Sequence, residues 1–404
     1  MTTLEQVAQA PDPLDEVRPM PSIGAQPPLS VSIYLNDLTG GGAERQTLTL
    51  ARELRASGVA VELILHQMRG ELIDQVPATI RIVNLDRRRT RHDVMPLARY
   101  LQRRRPDILL ANIDHKNIAA ILARIISGTP TKIVITQHNP LTGELSQYGR
   151  QYRIVAPAYR ILAPYLNAAV AVSDGIAREL VELAGLPQSK VVRIYNAVIG
   201  PEFEARANVP ILHPWLCDGL SPVFVTAARL VPQKDHETLL RAMSLYRRTG
   251  SGRLLILGTG PLREYLEDLA HELQIADVVD FVGFQHNPLP WLRCADLFVL
   301  SSRSEGFGIA LAEAMGCGTP VVSTDSGHGP AEILEGGRFG VLVPPEDPAA
   351  MAAALSTVDE IRRRFAPEFL KARAAQFSDT VCASQYLSLF NRLVLRNVMG
   401  SARA

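Results

Sequence analysis

At 404 residues, 47% of them hydrophobic and 21% charged, the chain has the size of two globular domains and the composition of neither a disordered nor a membrane-embedded protein. A formal net charge of +1 conceals an uneven distribution: residues 31–200 hold 22 Lys and Arg against 14 Asp and Glu, whereas residues 201–404 hold 19 against 23. A basic first half and an acidic second half imply surfaces with different partners. No run of about 18 apolar residues occurs, so no bilayer span is expected. The four scattered cysteines (Cys217, Cys294, Cys317 and Cys382) form no CxxC pair, which argues against zinc or disulfides and makes a reducing cytoplasm the default compartment.

Residues 1–29 are acidic and Pro-rich, lack a basic-then-apolar leader, and read as a disordered tail. Strands and helices then alternate. LSVSIYLND is an apolar run ending at a glycine turn, and AERQTLTLARELRASG follows with helical periodicity. VAVELILH, IRIVNLD, DILLAN, KIVITQH and AAVAVSD are further short strands with helical stretches between them. Strands apolar on both faces that alternate with helices predict a parallel sheet covered on both sides. The aperiodic IYNAVIGPEFEARANVPILHP marks a linker, after which SPVFVTAARL, RLLILGTG, VVDFVGF, LFVLSS and TPVVST restart the pattern. The expected organisation is an N-terminal domain over 30–200, a C-terminal domain over 201–380, and a final helical stretch over 381–404 whose packing stays open. Two doubly wound α/β domains in tandem enclose a cleft onto which the C-terminal ends of their strands open.

Chemistry-bearing residues gather at those strand ends. Gly40, Gly41 and Gly42 precede a helix and can bring its free N–H groups to an anion, although a plain tight turn reads equally well. A dinucleotide fingerprint fails there because its third glycine would fall at Arg45, and fails again in LGTGPLRE at Arg263. His138, ending IVITQHNP, is either a donor to a substrate oxygen or an ordinary structural histidine. Arg229 and Lys234 in ARLVPQKD stand at a strand-to-helix junction, where two cations suit a diphosphate or simply a solvated loop. In SRSEGFGIALAEAM, Gly306 and Gly308 let the backbone approach a ligand and a helix starts near Ile309 with free N–H groups. Glu305 lies on the loop before that helix and Glu313 about one turn inside. A glutamate on so apolar a helix is either a costly buried charge or a ligand contact, and carboxylates so placed suit vicinal sugar hydroxyls. Eight arginines from Arg87 to Arg105, without interleaved aromatics or zinc spacing, fit an anionic membrane surface better than nucleic acid, with a merely solvated face as the alternative.

Together these motifs resemble the retaining glycosyltransferases of family four, whose α/β fold is GT-B: two Rossmann-like doubly wound domains facing a central cleft. The resemblance spans nearly the whole chain after the tail. It is carried by Glu305 and Glu313 with the EGFG entry and the EAMGCGTPVVST continuation, and by the Arg and Lys of ARLVPQKD. The glycine loop before AER, AVSDGIARELVE and GPAEILEGGRFGVLVPPEDP match as well. By position it implies that Arg229 and Lys234 hold the donor's diphosphate, that Glu313 binds the nucleotide ribose, and that Glu305 lies by the transferred sugar. Backbone at Phe307, Gly308 and Ile309 would face phosphate and sugar, Gly41 and Gly42 would border the diphosphate, and His138 would contact the sugar near its reacting carbon. Glu305, His138, Arg229 and Lys234 are thereby the catalytic candidates. Two departures stand out: the family's glycine–acid–glycine is here Gly258-Thr259-Gly260, and its Asn-Gly hinge is Asn196-Ala197.

The resemblance implies a retaining hexosyltransferase that uses a nucleotide-sugar donor and no separate cofactor. No Asp-x-Asp triplet occurs to bridge a metal. DSGHGPAEIL resembles bacterial envelope-glycan enzymes, which favours a UDP-sugar over GDP-mannose. The implied acceptor is a glycan, lipid or lipid-linked molecule in polysaccharide or lipopolysaccharide synthesis, at the inner face of the cytoplasmic membrane. Rival readings are a GDP-mannose-dependent mannosyltransferase, a non-catalytic nucleotide-sugar-binding protein of the same fold, and a nicotinamide-dependent oxidoreductase, which the broken fingerprints oppose.

Overall fold

A computed structural model of the chain describes residues 28–39, 41–142, 153–220 and 222–401. The expected tail lies outside these residues but for its last two. The first sheet contains β1 (Ser30–Leu35), β2 (Ala60–Leu65), β3 (Arg81–Asn84), β4 (Ile108–Asn112), β5 (Lys132–Gln137), β6 (Ala168–Ala171) and β7 (Val191–Arg193). Its order is β3-β2-β1-β4-β5-β6-β7 and every pairing is parallel, with Ile33 level with both Leu63 and Leu110. The second sheet contains β8 (Val223–Ala227), β9 (Arg253–Leu257), β10 (Val279–Gly283), β11 (Leu297–Leu300), β12 (Val321–Thr324) and β13 (Val341–Val343), parallel in the order β10-β9-β8-β11-β12-β13.

Central strands such as β1 and β11 are buried along their whole length, so helices must cover both faces, and helical crossovers force parallel pairing. In each sheet the winding reverses beside the first strand, between β1 and β4 and between β8 and β11, which opens a crevice at the strand ends. The fold is therefore the α/β pair of Rossmann-like domains expected. The two strands that sequence reasoning did not single out, β7 and β13, are three-residue edge strands, too short for a periodic signal.

The chain crosses between the domains twice. On the way out, Val198 and Ile199 donate N–H bonds to the Phe377 carbonyl (2.7 and 3.2 Å), and on the way back Asp379 donates to the Ile199 carbonyl (3.1 Å). Tyr195 and Phe377, one from each crossing, pack against Phe307 with ring centroids 5.5 and 5.3 Å away. Ala197 at the hinge does not have positive φ, so its conformation makes no demand for the family's usual glycine. The final helix, Asp379–Ser401, returns to the first domain: Cys382, Tyr386, Leu389 and Phe390 join a core with Ile33, Leu63 and Leu54, and the Tyr386 hydroxyl lies 3.2 Å from Thr136 Oγ1. No helix among the described residues is long and apolar enough to cross a membrane.

This return sets an expected outcome. Phe390 is fully buried, so Phe390→Ala should cost about 3–5 kcal/mol. The loss should appear in hydrogen exchange at β1 and β2 rather than at β11 and β12, because the helix belongs to the first core.

Candidate active site

The EGFG turn leaves β11 and enters the helix Ile309–Cys317, with Gly308 at φ +99° as its N-cap. Gly306 lies against the backbone of His138, one residue past β5: a Cβ there would sit 1.8 Å from the His138 carbonyl oxygen. Only glycine permits that approach. Phe307 turns its ring away into the hinge aromatics and presents backbone alone to the cleft. On the opposite wall, a Cβ on Gly42 would be 3.2 Å from Ile309 Cδ1, so the glycine turn meets the start of that helix. Gly41 is the N-cap of the helix Gly42–Ala56, and the half-buried Glu44 carboxylate folds back over it. Two helix N-termini with their free N–H groups thus converge on one region of the cleft. Gly40 lies outside the described residues.

Beside this point Lys234 Nζ donates to Glu305 Oε1 at 2.5 Å, and Ser302 Oγ donates to the same oxygen at 2.7 Å. Glu305 is 7% exposed, and both of these bonds fall on Oε1. The Lys234 turn is stitched to the loop by Gln233 Nε2 on the Ser304 carbonyl (2.9 Å), Arg303 N on the Gln233 carbonyl (2.9 Å) and Ser301 Oγ on the Lys234 carbonyl (2.9 Å). Arg229 stands apart, exposed on the rim, where its charge reaches Glu44 of the other domain. Its loop is pinned by Leu230 N on the Thr259 carbonyl (2.9 Å). Thr259 serves there through backbone, so the missing acid leaves the turn intact. His236 is buried, and burial pushes its pKa down to about 4, so it is neutral and donates from Nε2 to the Arg229 carbonyl at 3.3 Å.

Glu313 lies one turn into its helix, half-buried, and its carboxylate takes no hydrogen bond or ion pair among the described residues. Burial raises its pKa to about 7, offset in part by the charges of Arg206 and Arg45. A half-buried acid without donors carries a desolvation cost that hydrogen-bond donors would relieve.

The structure thus brings Lys234, Glu305, Gly306, Ile309, Gly42 and His138 together, while Arg229 is exposed on the loop after β8 and Glu313 lies half-buried one turn into its helix. Sequence reasoning separated Lys234 from Glu305 by role; the fold pairs them directly. It also missed Ser302, the first residue of SRSEGFGIALAEAM, and His236, which directly follows ARLVPQKD. Of the arginine run, Arg87, Arg88, Arg89, Arg91, Arg99, Arg103 and Arg105 are exposed, and Arg104 pairs with Glu62 at 2.9 Å.

Comparison with known proteins matches residues 40–199 to the family model described as Glycosyltransferase Family 4, and residues 221–359 to that described as Glycosyl transferases group 1. The chain is 33% identical over 172 residues to the lipopolysaccharide core biosynthesis glycosyltransferase LpsE of Rhizobium meliloti (strain 1021), covering 42% of this chain and 49% of that one. It is 27% identical over 281 residues to the N-acetylgalactosamine-N,N'-diacetylbacillosaminyl-diphospho-undecaprenol 4-alpha-N-acetylgalactosaminyltransferase of Campylobacter jejuni subsp. jejuni serotype O:2, covering 68% and 73%. The chain spans half or less of the length of three of the curated relatives it matches. The solved structure of Anabaena Alr3699/HepE in complex with UDP and glucose superposes with a TM-score of 0.71 at 19% identity, covering 90% of this chain and 100% of that one. At that identity the likeness shows the fold.

The unpartnered carboxyl has a consequence for stability. Because its folded pKa is raised from 4.5 to about 7, Glu313 destabilises the fold increasingly as pH rises through that interval. Glu313→Gln should therefore stabilise the protein by about 1–2 kcal/mol at pH 8, after allowance for solvent screening, and by almost nothing near pH 4.5. Chemical denaturation at the two pH values checks this.

Proposed function

The chain belongs to the family 4 glycosyltransferases, and from that premise we propose that it moves a hexosyl group from a UDP-sugar to a glycan or lipid-linked acceptor in envelope polysaccharide or lipopolysaccharide synthesis. Glu313 carries the reading: a half-buried carboxylate without protein donors, on the helix whose start faces Gly42, suits the paired hydroxyls of a ribose. The names of the lipopolysaccharide and undecaprenol-diphosphate relatives support the acceptor class, and the UDP complex supports the donor class.

In this proposal the diphosphate lies between Arg229, Lys234 and the N–H groups at the start of the helix Ile309–Cys317. The charge that grows on the leaving oxygen meets preorganised cations and dipoles. Glu305 Oε1 already takes an ammonium and a hydroxyl, which makes it a poor nucleophile and a good anchor for Lys234 and the sugar. We therefore assign retention to attack on the same face as departure. The acceptor oxygen bonds to the sugar carbon as the bond to diphosphate breaks, and the departing phosphate oxygen takes the acceptor's proton. His138 lines the sugar, and no divalent ion or separate cofactor is needed.

The arginine face is proposed to dock on anionic lipid at the inner side of the cytoplasmic membrane. Exposed Met68 and Met95 (44% and 49%) accompany the exposed arginines, a combination suited to a charged interface with an apolar boundary.

Calorimetry should show one nucleoside diphosphate, UDP, binding in preference to GDP, ADP and NAD⁺. Arg229→Ala and Lys234→Ala should each lower turnover by roughly 10²–10³-fold in a folded protein, with wild-type turnover unaffected by a metal chelator. Wild-type rates in both variants, or binding of NAD⁺ alone, would remove the assignment. Co-sedimentation should show binding to anionic but not zwitterionic vesicles. Changing Arg87, Arg88, Arg89 and Arg91 to Gln should weaken that binding by roughly 10²–10³-fold, at about 1 kcal/mol per residue, whereas equal binding to both vesicle types would refute the lipid surface.

A further inference from the structure

The C-terminal domain grips the helix Asp174–Glu182 of the N-terminal domain in two places. At the helix start, Glu332 accepts the N–H groups of Asp174 and Gly175, at 2.8 and 2.9 Å, on its two carboxylate oxygens. Farther along the same helix, His328 Nε2 lies 3.2 Å from Glu179 Oε1. The fit is close, since a Cβ on Gly175 would come within 2.7 Å of the His328 ring. Glu179 is itself 9% exposed and holds more than the histidine: Oε2 accepts the Leu141 N–H at 2.6 Å and Oε1 the Thr142 hydroxyl at 2.5 Å. Leu141 follows three residues after His138, whose carbonyl meets Gly306. One carboxylate therefore ties the His138 segment to the opposite domain.

The other nitrogen of the ring, His328 Nδ1, lies 3.0 Å from the Ser326 carbonyl. Both nitrogens face oxygens that can only accept. A neutral imidazole donates through one nitrogen, so the observed geometry satisfies both partners only when the ring is an imidazolium. Its surroundings agree. Burial opposes the charge, but the hydrogen bonds to Glu179 and Ser326, with the nearby Glu332, outweigh it and raise the His328 pKa. Burial likewise opposes the Glu179 carboxylate, and the bonds from His328, Thr142 and Leu141 lower its pKa nonetheless. Among the described residues, the other charged groups around the clasp are Glu332 on the histidine's own segment, the buried Arg373, which donates to the Glu332 carbonyl at 2.7 Å, and, on the N-terminal domain, Asp174 with its partner Arg193 at 3.2 Å. Carboxylates and guanidinium groups do not ordinarily change charge near neutral pH, which leaves histidine as the titrating group.

We infer that Glu179 and His328 are positioning residues: protonated His328 draws the C-terminal domain onto Glu179, and Glu179 sets the segment after His138, so that closing the cleft and seating His138 are one proton-dependent event. What closure achieves rests on the proposed transfer reaction, but the clasp does not. Because the histidine's pKa is raised, the contact is complete below its ordinary value of about 6.5 and is lost as pH rises through the raised value. Glu179, lowered, keeps its charge until well into acid.

The amides of Asp174 and Gly175 report closure directly, since their acceptor is in the other domain. Hydrogen exchange of the full chain, corrected for intrinsic pH dependence, should show their protection falling at least tenfold across one titration centred above the ordinary histidine value of about 6.5. His328→Gln, which does not titrate, should abolish that step. Glu179→Gln, whose one amide oxygen can still accept from Leu141 while its NH2 donates to the Thr142 hydroxyl, removes the charge and should move the midpoint to lower pH by about one unit. Protection that does not vary with pH in the wild type, or a step unchanged in both variants, would overturn the inference. Transfer from a UDP-sugar, measured in parallel, should lose kcat/KM with the same midpoint. Absence of transfer at every pH, alongside the expected exchange behaviour, would refute the proposed function and support the clasp.

Discussion

The two domains meet backbone to backbone where Gly306 lies against the His138 carbonyl, and the site is arranged around that contact. With no side chain between them, the end of β5 and the turn after β11 are held at a fixed separation. The turn cannot shift without carrying Glu305 and the helix start with it. Phe307 must then point outward, where it joins Tyr195 and Phe377 at the two crossings of the hinge. The residue next to the proposed sugar site is thereby packed into the joint between the domains. That joint is doubled by backbone hydrogen bonds between the crossings, and the final helix anchors the returning chain in the first core. Such an arrangement suits hinge closure more than sliding, since only short paired segments join the two cores.

The electrostatics of the cleft divide into pairs that are satisfied and charges that are not. Lys234 and Glu305 neutralise one another, and Ser302 completes the shell. Among the described residues Glu313 has no such partner, and Arg229 is exposed. A buried carboxylate without donors lowers stability, and folds retain such groups where a ligand completes them. The contrast between the paired and unpaired acids fits the different tasks proposed for them, one holding the loop and its lysine, the other meeting ligand hydroxyls.

Both domains, their parallel sheets and the cleft were legible because buried parallel strands are apolar throughout and their helices periodic. The EGFG turn, Lys234 and Arg229 stood out as glycines and charges at the ends of apolar strands, and Glu313 as a charge on an apolar helix, while the roles expected of them came from the resemblance. β7 and β13 escaped because three residues do not establish a period, and their membership is settled by the neighbouring strand. His236 and Ser302 escaped because each acts by a single hydrogen bond, to the Arg229 carbonyl and to Glu305, which no residue pattern announces. Glu179 and His328 lie 149 positions apart and no pattern joins them.

By itself the sequence determined what each segment becomes, since hydrophobic periodicity, helix starts and glycine turns are short-range properties of neighbouring residues. It also determined which residues carry charge to the strand ends. Only the tertiary structure decided which of them meet: that Lys234 belongs to Glu305, that Gly306 belongs to His138, that His328 reaches Glu179, and that the last helix completes the first core. Those choices depend on how two sheets and a doubled hinge place distant segments in space, and a pairwise contact leaves no mark on either segment when it is read alone.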